Sequence, residues 1–209
     1  MDVIDIRKLE AIGLAQGMPL MEMAGSAAAE FVTQKFPAGS HVVLLVGPGN
    51  NGGDALTAGR ILQNKGYEVT AVMPQPPGPT AKDARRALDL WLKNGNPIKQ
   101  DLLDAINAKR PDLFIDGLFG IGLNKPLDTS WQAMIDNINS TGIPVLALDI
   151  PSGIQADSCQ TMGRPVIATW TVSFIAATRA MYDPSLKKYI GQWHVCTLGL
   201  KDPDGTHQS

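Results

Sequence analysis

Cysteine is scarce in this chain, with two in 209 residues, Cys159 and Cys196, far apart and without metal-type spacing. That excludes a disulfide framework and a zinc site as organising devices, and it predicts two free thiols in a reducing compartment. Histidine is nearly as scarce. His41 begins an apolar run, His194 lies inside another and His207 sits in a polar tail, so none is placed as the base that a serine nucleophile needs. A basic surplus is missing too. Lysine and arginine number 18 against 20 acidic residues, a net charge of −2, and Arg85-Arg86 and Lys187-Lys188 are only short pairs, which argues against a nucleic-acid footprint. No segment approaches the ~18 consecutive apolar residues of a membrane span. The start, Met1-Asp2-Val3-Ile4-Asp5, lacks the basic and apolar regions of a signal peptide. A cytoplasmic protein is the expectation. Its length suits a single domain over 1–209, with a core to about residue 200 and a polar tail over 201–209, and 44% apolar residues suffice to fill it.

What the chain does have is a repeated pairing of apolar run and ligand-type loop. His41 to Val46 runs into Gly47-Pro48-Gly49-Asn50-Asn51-Gly52-Gly53-Asp54. Leu113 to Ile115 runs into Asp116-Gly117-Leu118-Phe119-Gly120-Ile121-Gly122, and Pro144 to Leu148 into Asp149-Ile150-Pro151-Ser152-Gly153. Between them the spacing of apolar residues predicts helices over 2–16, 20–35, 54–65, 81–92 (with Thr80 as its cap), 101–109 and 131–138. Further strands are expected over 67–73, 168–175 and 193–198. This alternation predicts an α/β fold: a Rossmann-like three-layer α/β/α sandwich with a mostly parallel sheet and N-terminal flanking helices. In such a sheet ligands bind beyond the carboxyl ends of the strands, so the three loops converge on one edge.

The loops point to a nucleotide beside a cation. Gly47, Gly49 and Gly52 satisfy G-x-G-x-x-G, a weak signal alone, for which a tight turn needing glycine only for its backbone angles is the plain alternative. The next strand ends Val72-Met73-Pro74, without the acid that holds a ribose in ordinary dehydrogenases. Gly53-Asp54 stands where a P-loop has lysine and a hydroxyl residue, which argues against phosphoryl transfer. Asp116 can hold a cation or cap its loop, Lys125 can meet a phosphate or simply face solvent, and Ser152 can offer oxygen to a hard cation.

Taken together these residues resemble the YjeF N-terminal domain family, which contains the NAD(P)HX epimerases. Met21-Glu22-Met23-Ala24-Gly25, Thr171-Val172-Ser173-Phe174, Gly191-Gln192 and Leu198-Gly199-Leu200 extend the likeness over nearly the whole chain. The resemblance implies an isomerase that interconverts the R and S epimers of hydrated NADH and NADPH, works with potassium, commonly forms a homodimer and feeds a separate dehydratase. It implies Asn50, Asn51, Gly52, Gly53, Asp54, Gly120, Ile121, Gly122, Leu123, Asn124, Lys125, Pro126 and Asp149 as substrate contacts. Asn51, Asp116 and Ser152 are implied as potassium ligands. For moving the proton at the ring carbon, or steadying a developing cation, the expected group is Asp149, with Asp54 second. Three positions depart from the pattern. Ala55 stands where many members have glycine, and Thr178 and Ala180 stand where a lysine and a glycine are usual. Thr178 motivates an alternative, a weakened nucleotide-binding or scaffold module of the same fold.

Overall fold

The computed structural model describes residues 1–79 and 81–200. Helices α1 (Val3–Ala15) and α2 (Leu20–Lys35) precede strand β1 (His41–Val46). Then follow α3 (Asn50–Asn64), β2 (Glu68–Val72), α4 (Lys82–Lys93), β3 (Ile98–Lys99), α5 (Leu102–Ala108) and β4 (Leu113–Gly117). The chain continues through α6 (Thr129–Ser140), β5 (Val145–Leu148), β6 (Trp170–Phe174), a 3-10 turn (Arg179–Tyr182), α7 (Lys187–Ile190) and β7 (Gln192–Cys196). The expected cap Thr80, the tail over 201–209 and His207 lie outside the described residues.

The seven strands lie in the order β3-β2-β1-β4-β5-β6-β7, and every neighbouring pair is parallel. The sheet is therefore wholly rather than mostly parallel. Both of its faces are covered, which explains the unbroken apolar runs. In β1, Val42, Leu44 and Val46 meet α1 to α4 through residues such as Ile6, Val32, Leu62 and Trp91. Val43 and Leu45 point the other way, onto α5 and α6 through Leu102, Trp131 and Ile135. Side chains alternate along a strand, so one run serves two cores.

Two features position the site. Strand order reverses between β1 and β4, and such a reversal leaves a crevice at the carboxyl ends of the two strands. Helix α1 is held by its first residues to the far half of the chain. The Met1 ammonium donates to the Ala177 carbonyl (2.7 Å), the Val3 N–H to Asp157 Oδ1 (2.9 Å), and Asp2 pairs with Arg179 (2.6 Å). No helix among the described residues is long and apolar enough to cross a membrane.

Three elements were not evident from apolar spacing: β3, α7 and the 3-10 turn, each of four residues or fewer, too short for a periodic pattern. The larger correction concerns α3. It begins at Asn50, four residues before the expected Asp54, because glycine at 52 and 53 reads as loop. A Cβ on Gly52 would stand 2.1 Å from the Gly47 carbonyl oxygen, and one on Gly53 2.6 Å from Met21 and 2.8 Å from Ala84. These glycines are helical and required by packing, although each costs about 1 kcal/mol of helix propensity relative to alanine.

Candidate functional site

The crevice is a cleft of about 940 Å³ along the carboxyl ends of the strands, with α1 and the turn after it forming one wall. Its floor depends on close backbone approach. A Cβ on Gly47 would stand 1.7 Å from the Leu118 carbonyl oxygen, so only glycine fits where the β1 loop crosses the β4 loop. Gly49 caps α3 without a side chain, and its lack of a capping group leaves first-turn N–H groups to face whatever enters the cleft. Asn50, Asn51 and Asp54 line that opening. Gly52 and Gly53 do not line it; they hold the turn against Gly47 and α4.

Beneath the cleft lies a small polar knot. The Asp116 carboxylate is fully buried. Its Oδ1 accepts from the Ser152 hydroxyl (2.7 Å) and the Leu118 N–H (3.1 Å), and its Oδ2 accepts from the Ser152 N–H (2.9 Å). The Ser152 hydroxyl also accepts from the Phe119 N–H (2.8 Å). Burial pushes Asp116 up to about 6, with the Ser152 hydroxyl, the Ser152 N–H and the Leu118 N–H pulling the other way. Asn51 approaches the same strand end, since its carbonyl oxygen lies 2.8 Å from where a Gly117 Cβ would stand. Both polar atoms of the buried Asn51 amide lack a hydrogen-bond partner among the described residues. A buried amide left in this way costs ~1–3 kcal/mol, and a bound ligand or ion would recover that cost. A carboxylate, a hydroxyl with a free lone pair and an orphaned amide oxygen are the kind of hard donors that potassium takes, so the chemistry of these three residues fits that ion. Among the described residues no group of three or more His, Cys, Asp or Glu side chains is placed to hold a metal.

Above the knot is a cluster of carboxylates. Asp149 follows directly on β5 with φ at 68°, a left-handed conformation that few non-glycine residues adopt and that aspartate tolerates better than most. The Ile121 N–H donates to its Oδ2 (2.8 Å). A Cβ on Gly120 would lie 2.4 Å from that oxygen, so the second loop touches the third through a bare backbone. Burial pushes Asp149 up to about 6; the Ile121 N–H and Arg7 oppose the rise, and Glu10 adds to it. Burial raises Asp54 well above the carboxylate range, with Asp149, Glu10 and Asp83 adding repulsion. Glu10 is also raised, by burial first and partly offset by Arg7.

Gly120, Ile121, Gly122, Leu123, Asn124 and Lys125 line the cleft with Asp54 and Asp149. Pro126 does not, and Asp116 and Ser152 lie below the lining. Of the departures from the family pattern, the Ala55 methyl stands 2.6 Å from where a Gly117 Cβ would be, so glycine at 117 makes room for it. Thr178 is fully buried, with no partner for its hydroxyl among the described residues, and it is not part of the cleft wall. The residues that sequence reasoning missed are Arg7 and Glu10 on α1 and Asp83 and Arg86 on α4, all of which line the cleft. Helical spacing placed α1 on the flank of the sheet. Nothing local in the sequence signals that its polar face meets the strand ends.

Comparison with known proteins gives a consistent picture. The pattern described as "YjeF-related protein N-terminus" matches residues 17–180. The chain is 48% identical over 202 residues to a Bordetella bronchiseptica protein named NAD(P)H-hydrate epimerase, covering 95% of this chain and 87% of that one. It is 34% identical over 181 residues to the Escherichia coli bifunctional NAD(P)H-hydrate repair enzyme Nnr, covering 87% of this chain and 35% of that protein. The crystal structure of the yeast protein YNL200c superposes with a TM-score of 0.76 at 20% identity, over 87% of this chain and 82% of that one, a likeness of fold.

Proposed function

The chain belongs to the YjeF-related N-terminal family, and from that premise we propose that it is an NAD(P)H-hydrate epimerase, an isomerase acting on hydrated NADH and NADPH. The observation that supports this best is the half-buried Asp149, pinned at the cleft by the Ile121 N–H and facing the raised carboxyl of Asp54. Two carboxyls whose surroundings push them apart form an acid–base pair. The hydroxyl of the substrate sits on the ring carbon beside the ring nitrogen. A proton from Asp54 lets that hydroxyl leave as water while the nitrogen lone pair forms the ring cation. Ionised Asp149 steadies the cation and then takes a proton from a water that adds to the opposite face. The ring regains its hydroxyl with the other hand, the proton gained by Asp149 returns through solvent to Asp54, and no net proton or electron is consumed.

The first turn of α3 and the loop over 120–126 would hold the nucleotide, with N–H groups at the helix start facing the phosphates. Gly52, Gly53 and Pro126 act there through the backbone they fix rather than through contact surface. Asn51, Asp116 and Ser152 would hold potassium, whose charge would offset the buried carboxylate and stiffen the junction of the three loops. A cytoplasmic homodimer of this single domain, working beside a dehydratase specific for the S epimer, completes the reading. Thr178 lies outside the cleft wall, and the alternative of a weakened binding module predicts tight nucleotide binding without turnover.

The test is to incubate the protein with R-NADHX and an S-specific dehydratase. Dehydration at a rate set by this protein is expected; a rate no faster than spontaneous epimerisation overturns the reading.

A further inference from the structure

The cleft has two distinct ends. One lies at β5 and β6, with Asp149, Phe174 and Ile175. The other lies beyond β2, with Gly78, Asp83 and Arg86. If the reacting ring sits beside Asp149 and the pyrophosphate at the start of α3, the adenosine extends to the second end. That placement rests on the function proposed above.

The second end carries charges of both signs on α4. Strand β2 runs into Met73-Pro74 and brings no acid at its carboxyl end. The connection after it is tied to the glycine loop by the Gly78 N–H donating to the Pro48 carbonyl (2.9 Å). The first turn of α4 packs on the first turn of α3, where Ala84 Cα lies 2.8 Å from a Gly53 Cβ position. Asp83 and Arg86 flank that contact. They are three residues apart on one helix and so share a face. Both are exposed and line the cleft, and neither is held in an ion pair among the described residues. The other cleft cations lie across from them: Lys125 on the β4 loop and Arg7, whose Nη2 is 3.1 Å from a Gly122 Cβ position.

We infer that Asp83 and Arg86 read the 2′ position of the adenosine ribose. Asp83 accepts the 2′-hydroxyl of the NADH hydrate. Arg86 holds the 2′-phosphate of the NADPH hydrate, for which a guanidinium is better shaped than an ammonium. One helical turn thus lets a single cleft admit both coenzymes.

The test uses the full chain and two ligands without a nicotinamide ring, ADP-ribose and its 2′-phosphorylated form, titrated calorimetrically. Arg86→Gln is expected to weaken the 2′-phosphorylated ligand by about tenfold or more while changing ADP-ribose less than about twofold. The wild-type preference should shrink with added salt. Asp83→Asn is expected to weaken ADP-ribose and not the phosphorylated ligand, and Arg86→Lys should restore part of the loss. Equal effects on both ligands, or none, overturn the inference while leaving the cleft a nucleotide site. Failure of the wild-type protein to bind either ligand overturns the nucleotide reading itself, and this inference with it.

Discussion

In the proposed reaction Asp149 carries the chemistry, and its burial carries a cost. Its position after an apolar run was plain in the sequence. Its left-handed backbone was not, and neither was its pinning by Ile121, a contact between loops 28 residues apart. A carboxyl raised to about 6 in the folded state, against ~3.9 when unfolded, binds more protons folded than unfolded between those values. Stability therefore falls as pH rises through that window and stays lower above it. Asparagine has no such cost, tolerates the same backbone, and keeps an oxygen for the Ile121 N–H. Asp149→Asn is expected to lose ~10²-fold or more in turnover. It should gain about 1–3 kcal/mol of stability at pH 8 and nothing at pH 4, read from denaturant melts at the two values. Wild-type turnover should rise with pH as Asp149 ionises near 6. The glycine beside it makes a narrower point. Gly120→Ala places a methyl where the Asp149 oxygen now sits, so kcat should drop by about tenfold or more with a Tm near that of the wild type; an unchanged kcat would show that the carboxylate has room to move.

The start of α3 shows how an element can be hidden by the residues that make it work. Asn50-Asn51-Gly52-Gly53 reads as loop by propensity, yet it is the first helical turn, because those glycines let α3 pack against the β1 loop, Met21 and α4. Tertiary packing overrode propensity, and it did so at the site. Strands β1, β4 and β5 were legible within one or two residues because each is an unbroken apolar run buried on both faces. Gly47 is the tightest point, with a backbone oxygen 1.7 Å from a Cβ position, and backbone has nowhere to go. Gly47→Ala should cost about 3 kcal/mol or more by overpacking, measured by urea unfolding. A variant as stable as the wild type would mean that the β1 and β4 loops can separate, and with them the knot beneath the cleft.

At the scale of the whole molecule, the order of strands explains why three loops far apart in sequence share one cleft, since reversal at β1 and β4 places Gly47, Asp116 and Asp149 side by side. The alternation of strand and helix predicted that much. It gave no hint that α1 would cross to the strand ends, since α1 is held by Asp157, Ala177 and Arg179, contacts with no local signal. Asp116 and Ser152 tie the second loop to the third; in the proposed function Asn51 brings in the first, so an ion shared by the three should tighten the entire domain. Potassium chloride is expected to raise Tm above that in an equal concentration of choline chloride, by RT ln(1 + [K⁺]/Kd) in free energy, and Asn51→Ala should abolish the difference. Equal melting in both salts would remove potassium from the site.

The clasp between the first three residues and positions 157–179 also bears on how the chain reaches its native state. All strand pairings are parallel, and each needs a crossover, so refolding is governed by distant encounters and should be slow. Residues 1–3 must wait for partners 154 to 177 positions further along the chain. Competence to capture a nucleotide should therefore arrive last, trailing the far-ultraviolet circular dichroism signal in a stopped-flow experiment that follows both.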